Sequence, residues 1–346
     1  MQDVVDLTIE LCTIPSTTGS EAGVVDDLAT RLTRLGAKVT RQNVGGVVGR
    51  DNLLAVSDPS RPIDLLLTTH IDTVPPFIPP TIVGDELHGR GVIDAKGIAA
   101  SMILAWQRLL ARKDGAGENV GLLFVVGEET NSDGAKLAAV SGFAPAVRFF
   151  INGEPTDGLL CRAMKGVLAF QLDVEGKAAH SAYPAAGHSA THQLITDLHK
   201  LTSAQWPVTE YGPTTLNVGV MDGGVAQNVI APHASAKIMM RPTDDPDRIL
   251  ETVRSLLSTS TKLQVLTKAP PVKLHVVGDE ETCVVAFGSD VPHLAPLLEA
   301  RHGSPLLFGP GSILDAHTSH ERVSIKDLHN AVDAYERMAL RLLEKA

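Results

Sequence analysis

The chain has 346 residues, enough for two domains, with 44% hydrophobic and 20% charged residues, the profile of a folded globular protein. Its formal net charge is −10 and it has no Lys/Arg cluster, which argues against nucleic acid or anionic membrane as a partner. Cys12, Cys161 and Cys283 are odd in number and share no CxxC spacing, no apolar run reaches the roughly 18–20 residues of a membrane span, and the N-terminus lacks a basic, apolar leader. Together these predict a cytoplasmic protein without a disulfide framework.

Val5, Ile9 and Cys12 fall at helical spacing over residues 2–13, and Pro15 ends that helix. Ser20 is the expected N-cap of a second helix carrying Val24, Val25, Leu28, Leu32 and Leu35, with Gly36 as its stop. Apolar runs at 53–56, 63–68 and 120–126 read as buried strands, with a helix at about 98–111 between the last two. Strands alternating with helices predict an α/β domain with a mostly parallel sheet covered on both faces.

From Gly166 the pattern changes. Residues 167–174 alternate in polarity, a helix follows at about 188–202, and strand-like runs at 214–221 and 233–241 flank Asp222-Gly223-Gly224. A helix near 246–257 and a strand near 262–267 complete the order βαββαβ, that of ferredoxin-like modules. After Ala269-Pro270-Pro271 the first pattern resumes: a strand at 283–286, a helix with Leu294, Leu297 and Leu298, a run at 306–308 and a last helix at about 324–345. The expectation is a catalytic α/β domain of residues 1–164 and 271–346, interrupted by a ferredoxin-like domain at 165–270.

Five polar clusters sit at strand ends or in the loops beyond them, where open α/β sheets place ligands. In Thr69-His70-Ile71-Asp72, His70 can ligate a divalent metal while Asp72 holds its other ring nitrogen. Asp94, in Gly91-Val92-Ile93-Asp94-Ala95-Lys96-Gly97, is either a carboxylate bridging two metals or the N-cap of the next helix. In Gly127-Glu128-Glu129 one carboxylate can ligate metal while its neighbour acts as general base. Glu154 adds a carboxylate before Pro155. Near the C-terminus Gly309-Pro310-Gly311-Ser312 can bring backbone N–H groups to a substrate, and His317 and His320 are candidate ligands. Each cluster alone also reads as an ordinary turn or cap. Together they offer two histidines and four carboxylates, a nitrogen and oxygen set that suits two divalent ions, zinc first, with cobalt or manganese also fitting.

These residues resemble the co-catalytic zinc metallopeptidase family that includes acetylornithine deacetylase, succinyl-diaminopimelate desuccinylase, acetyl-lysine deacetylase and aminoacylase. The likeness covers essentially the whole chain through HxDxVP, GRGxxDxKG, GEE, GEP and a late Ala-His. It implies a two-metal catalytic domain with an inserted lid and dimerisation domain. His70 and Glu154 would bind one metal, Glu129 and His317 the other, and Asp94 would bridge them. Asp72 would support His70, and Glu128 would be the general base on a metal-bridging water.

In the insert, Gly176 to Pro184 resembles the family's GxxxHxxxP segment, so His180 would stabilise the oxyanion and, in a homodimer, reach the partner's site. Asn228, Arg241 and the backbone at Gly311 would hold the substrate. The Gly309–Ser312 loop is similar to that of the acetylornithine deacetylase branch, while His320-Glu321 stands where the family has Asp-Glu. The implied activity is removal of the acyl group from a small N-acyl amino acid of the N-acetylornithine or N-acetyl-lysine type. A dipeptidase or carboxypeptidase is the alternative, and a non-catalytic metal-bound binding protein a remote one.

Overall fold

The computed structural model describes residues 2–279 and 281–344. The chain divides into two compact units: Met1–Arg162, Leu274–Cys283 and Ser289–Ala346 form the first, Ala163–Lys273 and Val284–Gly288 the second.

The first unit is built on a six-stranded sheet in the spatial order Lys38–Asn43, Asp51–Val56, Val120–Val125, Leu65–His70, Phe149–Asn152, Ser304–Leu307. The last four run parallel, and the first two pair antiparallel at one edge. Leu65–His70 and Val120–Val125 are buried at every residue, as strands covered on both faces must be. The edge strand Lys38–Asn43 has no place among the expected elements, because Lys-Val-Thr-Arg-Gln-Asn carries no apolar alternation and packs almost nothing.

Helix Lys96–Leu110 is the centre of this unit, buried from Lys96 through Trp106 and packed on helices Val4–Thr13 and Ile325–Glu344. Lys96 is fully enclosed, and its ammonium donates to the carbonyls of Leu11 (3.1 Å) and Ile14 (2.5 Å). Leu11 lies in the last turn of helix Val4–Thr13 and Ile14 is its C-cap, so a buried cation caps one helix from the start of another.

Ser20 is not the cap of helix Ala22–Arg34. Glu21 holds that position without a side-chain cap bond, and its carboxylate receives Arg50 at 3.2 Å instead. Leu294, Leu297 and Leu298 lie on two short helices, Val291–Leu294 and Pro296–Glu299, divided where Pro296 lacks the N–H that would continue the turn. Helix Asp133–Val140 was not anticipated, being only eight residues long.

The second unit carries a four-stranded antiparallel sheet in the order Thr215–Gly223, His233–Arg241, Val167–Glu175, Thr261–Ala269. Leu168, Phe170, Leu172 and Val174 point to one face at the two-residue period of a strand. There they meet Ala236, Ile238 and Met240, with Leu194 and Leu198 of helix Ala190–Ser203 and Ile249 and Val253 of helix Pro246–Leu256. The chain order βαββαβ is the expected one.

Gly97 is a glycine for a local reason. A β-carbon there would press on the Val92 carbonyl oxygen far inside contact distance, with Leu328 behind it. Gly97→Ala is expected to destabilise the protein by at least about 1–3 kcal/mol, the range for overpacking a rigid core, read as a lower urea midpoint at unchanged m-value.

Candidate di-metal active site

The parallel strands end side by side, and their C-terminal ends carry the polar clusters. His70 closes the central strand Leu65–His70. Glu128 and Glu129 follow the neighbouring strand through a turn at Gly127 (φ 79°), whose carbonyl accepts the N–H groups of Asn131 and Ser132. Glu154 follows the strand on the other side, where Gly153 is tied to Thr68 and Thr69. His317 lies beyond the fourth strand in the left-handed region (φ 61°), which non-glycine residues rarely enter. Asp94 precedes helix Lys96–Leu110, whose capping position is Ala95, so the N-cap alternative for Asp94 falls.

Five of the candidate residues fall into two triads that share one carboxylate. His70, Asp94 and Glu154 bring ligand atoms within 4.8 Å of one another, and so do Asp94, Glu129 and His317. Asp94 divides its oxygens: Oδ1 is 2.9 Å from Nε2 of His70, and Oδ2 is 3.1 Å from Nε2 of His317. Nε2 of His317 is also 2.9 Å from Oε2 of Glu129. Nδ1 of His70 faces the Asp72 carbonyl oxygen at 3.0 Å and its carboxylate at 3.5 Å. Asp72 is wholly buried and accepts Thr18 Oγ1 at 2.7 Å and the N–H groups of Glu128 and Glu129 at 3.2 and 3.3 Å. One carboxylate therefore orients the histidine and holds the turn that presents both glutamates.

Electrostatics set the groups apart. Burial alone would push every carboxylate here up. For Asp94 that push is outweighed by His317 and His70, which hold it well below the usual range. Glu154 lies well above its usual value because of burial and the neighbouring Glu128. Glu128 is pushed up to about 8, mainly by burial, with His70 opposing. Bonds to Asp94 and Glu129 raise His317 to about 10. Burial pulls His70 down, yet Asp72 and Asp94 outweigh it and hold the ring well above its ordinary value. Oε1 of Glu129 and Oε1 of Glu154 are buried without a hydrogen-bond partner among the described residues. Buried acceptors left over in a nest of carboxylates fit divalent cations, which supply the missing positive charge.

Some residues stand differently from expectation. His320 is exposed and joins neither triad. Gly311 has φ 77°, and its carbonyl accepts the Asp157 N–H at 2.8 Å. His180, Asn228 and Arg241 belong to the second unit. There His180 bridges Val229, and Ser181 donates to the Asn228 carbonyl at 3.0 Å, so the first two share one corner. Arg241 ends strand His233–Arg241, half-buried.

Two contributors escaped the sequence reading. Asp290 is wholly buried, and burial pushes it up to about 6 against the pull of His70 and Ser132. In sequence, Ser289-Asp290-Val291-Pro292 reads only as a helix start. Glu321, noted as part of a departure from the family pattern, accepts the N–H of Gly91 at 2.8 Å and of Ile93 at 3.3 Å, and pairs with Arg90 at 2.5 Å. It thereby clamps the loop that ends in Asp94.

A family model for the dimerisation domain of M20 peptidases matches residues 162–263. A peptidase M20 domain-containing protein of Schizosaccharomyces pombe is 35% identical over 342 residues, 98% of this chain and 84% of that protein. The chain belongs to the M20 peptidase family. A protein of Aspergillus terreus named "Probable carboxypeptidase" is 36% identical over 366 residues, covering 95% of this M20 peptidase and 84% of the relative. The fold is also that of a Staphylococcus aureus tripeptidase, with a TM-score of 0.78, 22% identity, and coverage of 99% and 98% of the two chains. Membership makes this chain a metal-dependent hydrolase of amide bonds.

Because Asp94 serves both triads and Glu154 only one, their removal is expected to differ. By metal analysis after dialysis, Asp94→Ala should lose both ions, whereas Glu154→Ala should keep about half the wild-type metal content. Asp72→Asn should keep the ligands but weaken metal affinity by about 10–100-fold.

Proposed function

We propose that this M20 peptidase is a two-metal exopeptidase that releases the C-terminal amino acid of a short peptide. The observation that carries the reaction type is Asp94, shared one oxygen each between two His/carboxylate triads, with Glu128 beside them and outside both. Relatives named as carboxypeptidases, aligned over nearly the whole chain, favour a peptide as substrate over the N-acyl amino acid that the motifs suggested first. The chemistry is common to both.

His70, Asp94 and Glu154 would hold one cation, and Asp94, Glu129 and His317 the other. When bound, the pair supplies Lewis acidity that polarises the scissile carbonyl and acidifies water, and zinc fits the ligand set best. Glu128 then accepts the proton of the attacking water at its carboxylate and returns it to the leaving amine. Asp72 keeps Glu128 in place through the Glu128 N–H.

Two features of the second unit support substrate binding across a homodimer. Arg241 is half-buried and has no ion-pair partner among the described residues, which suits a guanidinium kept for a substrate carboxylate. Arg241 and the His180/Asn228 corner lie toward opposite ends of strand His233–Arg241, about 25 Å apart at 3.3 Å per residue. One copy cannot offer both to a single small substrate, whereas two copies exchanging their corners can. Strand Thr215–Gly223 is one of the sheet's two edges, with Val220 and Met221 exposed. A half-solvated apolar edge of this kind is a pairing surface.

The test is turnover of a panel of dipeptides and tripeptides alongside N-acetylornithine and N-acetyl-lysine, with zinc, cobalt or manganese returned to metal-stripped enzyme. Release of C-terminal amino acids is expected. Turnover of the acyl amino acids alone would return the substrate to the deacylase reading. Glu128→Ala is expected to lower kcat by at least about 10²–10⁴ while keeping both metals. Arg241→Ala should raise KM by about 10–100-fold, the worth of a charged hydrogen bond, with metal content unchanged.

A further inference from the structure

Outside the metal site, two sulfurs lie side by side. Cys161 is on strand Leu160–Met164 and Cys283 on strand Thr282–Val285, neighbours in a three-stranded sheet. The strands are held at both ends, where the Leu160 N–H donates to Glu281 and the Lys165 N–H to Val285. The two Sγ atoms are 3.1 Å apart. A disulfide needs about 2.05 Å, so closure asks for roughly 1 Å of movement. The chain leaves the first unit at Arg162 and again at Cys283, so the pair sits where these two crossings run together.

The thiols are unequal. Cys161 is fully enclosed, whereas Cys283 is partly open to solvent. Their mutual hydrogen bond holds Cys283 below the ordinary thiol range and pushes Cys161 above it. Cys12 is also enclosed, but has no sulfur partner, and burial pushes its thiol up to about 12.

We propose that Cys161 and Cys283 form a reversible dithiol–disulfide site, with Cys283 as the entry thiol for a small-molecule disulfide and Cys161 as the resolving thiol. The Cys283 thiolate attacks one sulfur of glutathione disulfide. That S–S bond breaks, one glutathione leaves as thiolate with the bonding pair, and Cys283 carries the other. Cys161 then loses its proton, attacks Sγ of Cys283 and expels the second glutathione. Two protein thiols are oxidised by two electrons, one glutathione disulfide is reduced to two thiols, and the two protons end on them. Excess thiol reverses each step. The result is a staple between the two crossing segments.

The experiment incubates the purified, metal-loaded enzyme with glutathione disulfide, quenches with acid, alkylates free thiols and maps peptides by mass. A Cys161–Cys283 linked peptide is expected, with Cys12 alkylated and the link lost in dithiothreitol. Cys161→Ser should stop at one glutathione on Cys283, and Cys283→Ser should leave Cys161 unmodified. In the native wild type, iodoacetamide should label Cys283 at least about tenfold faster than Cys161 or Cys12, a comparison that needs no variant. Stable glutathione on Cys283 of the wild type without a link, modification of Cys161 in Cys283→Ser, or equal labelling of all three thiols would each overturn the proposal.

Discussion

Everything in the first unit answers to one electrostatic constraint: several carboxylates must stay close together in a place that water hardly reaches. Asp94 is the point on which they converge, and a buried acid so crowded would take up a proton unless opposed. His70 and His317 oppose it from either side. The position of Asp94 is in turn imposed by the backbone around it. Glu321 grips the preceding N–H groups, Arg90 neutralises Glu321, and Gly97 allows the following helix to start against the Val92 carbonyl. Burial and the neighbouring Asp94 raise Glu321 to about 7, against the pull of Arg90 and the Ile93 amide.

The same constraint explains how adjacent residues acquire different surroundings. Glu128 and Glu129 leave one turn, and Asp72 accepts both of their N–H groups. Only Glu129 turns its carboxylate to His317. Glu128 has no such partner among the described residues, and burial together with nearby acids raises its pKa. Two identical side chains, one residue apart, are separated by surroundings alone.

The second unit solves a simpler problem. Its strands bury alternate residues under two helices and leave the other face and one edge exposed. That geometry sends Arg241 to one end of a strand and the His180/Asn228 corner to the other.

Much of this was readable from residue order. Alternation at two residues marked the strand at 167–175, all-apolar runs marked the buried parallel strands, and a polar group after each run marked the site, because local periodicity and strand ends are short-range properties. His70, Asp94, Glu128, Glu129, Glu154 and His317 stand in such polar clusters, and the structure brings ligand atoms of five of them into two triads. Asp290 and the role of Glu321 were not, since their importance lies in what they face across more than 200 residues of chain. The choice between cap and shared carboxylate for Asp94 was equally invisible, as both readings use the same residue before the same helix. The nearness of Cys161 and Cys283 also belongs to the folded chain alone. Sequence by itself determined which chemistry was present. Only tertiary structure decided which groups would share an atom, a proton or a sulfur contact, because those depend on distances of a few ångströms between segments that the chain order keeps far apart.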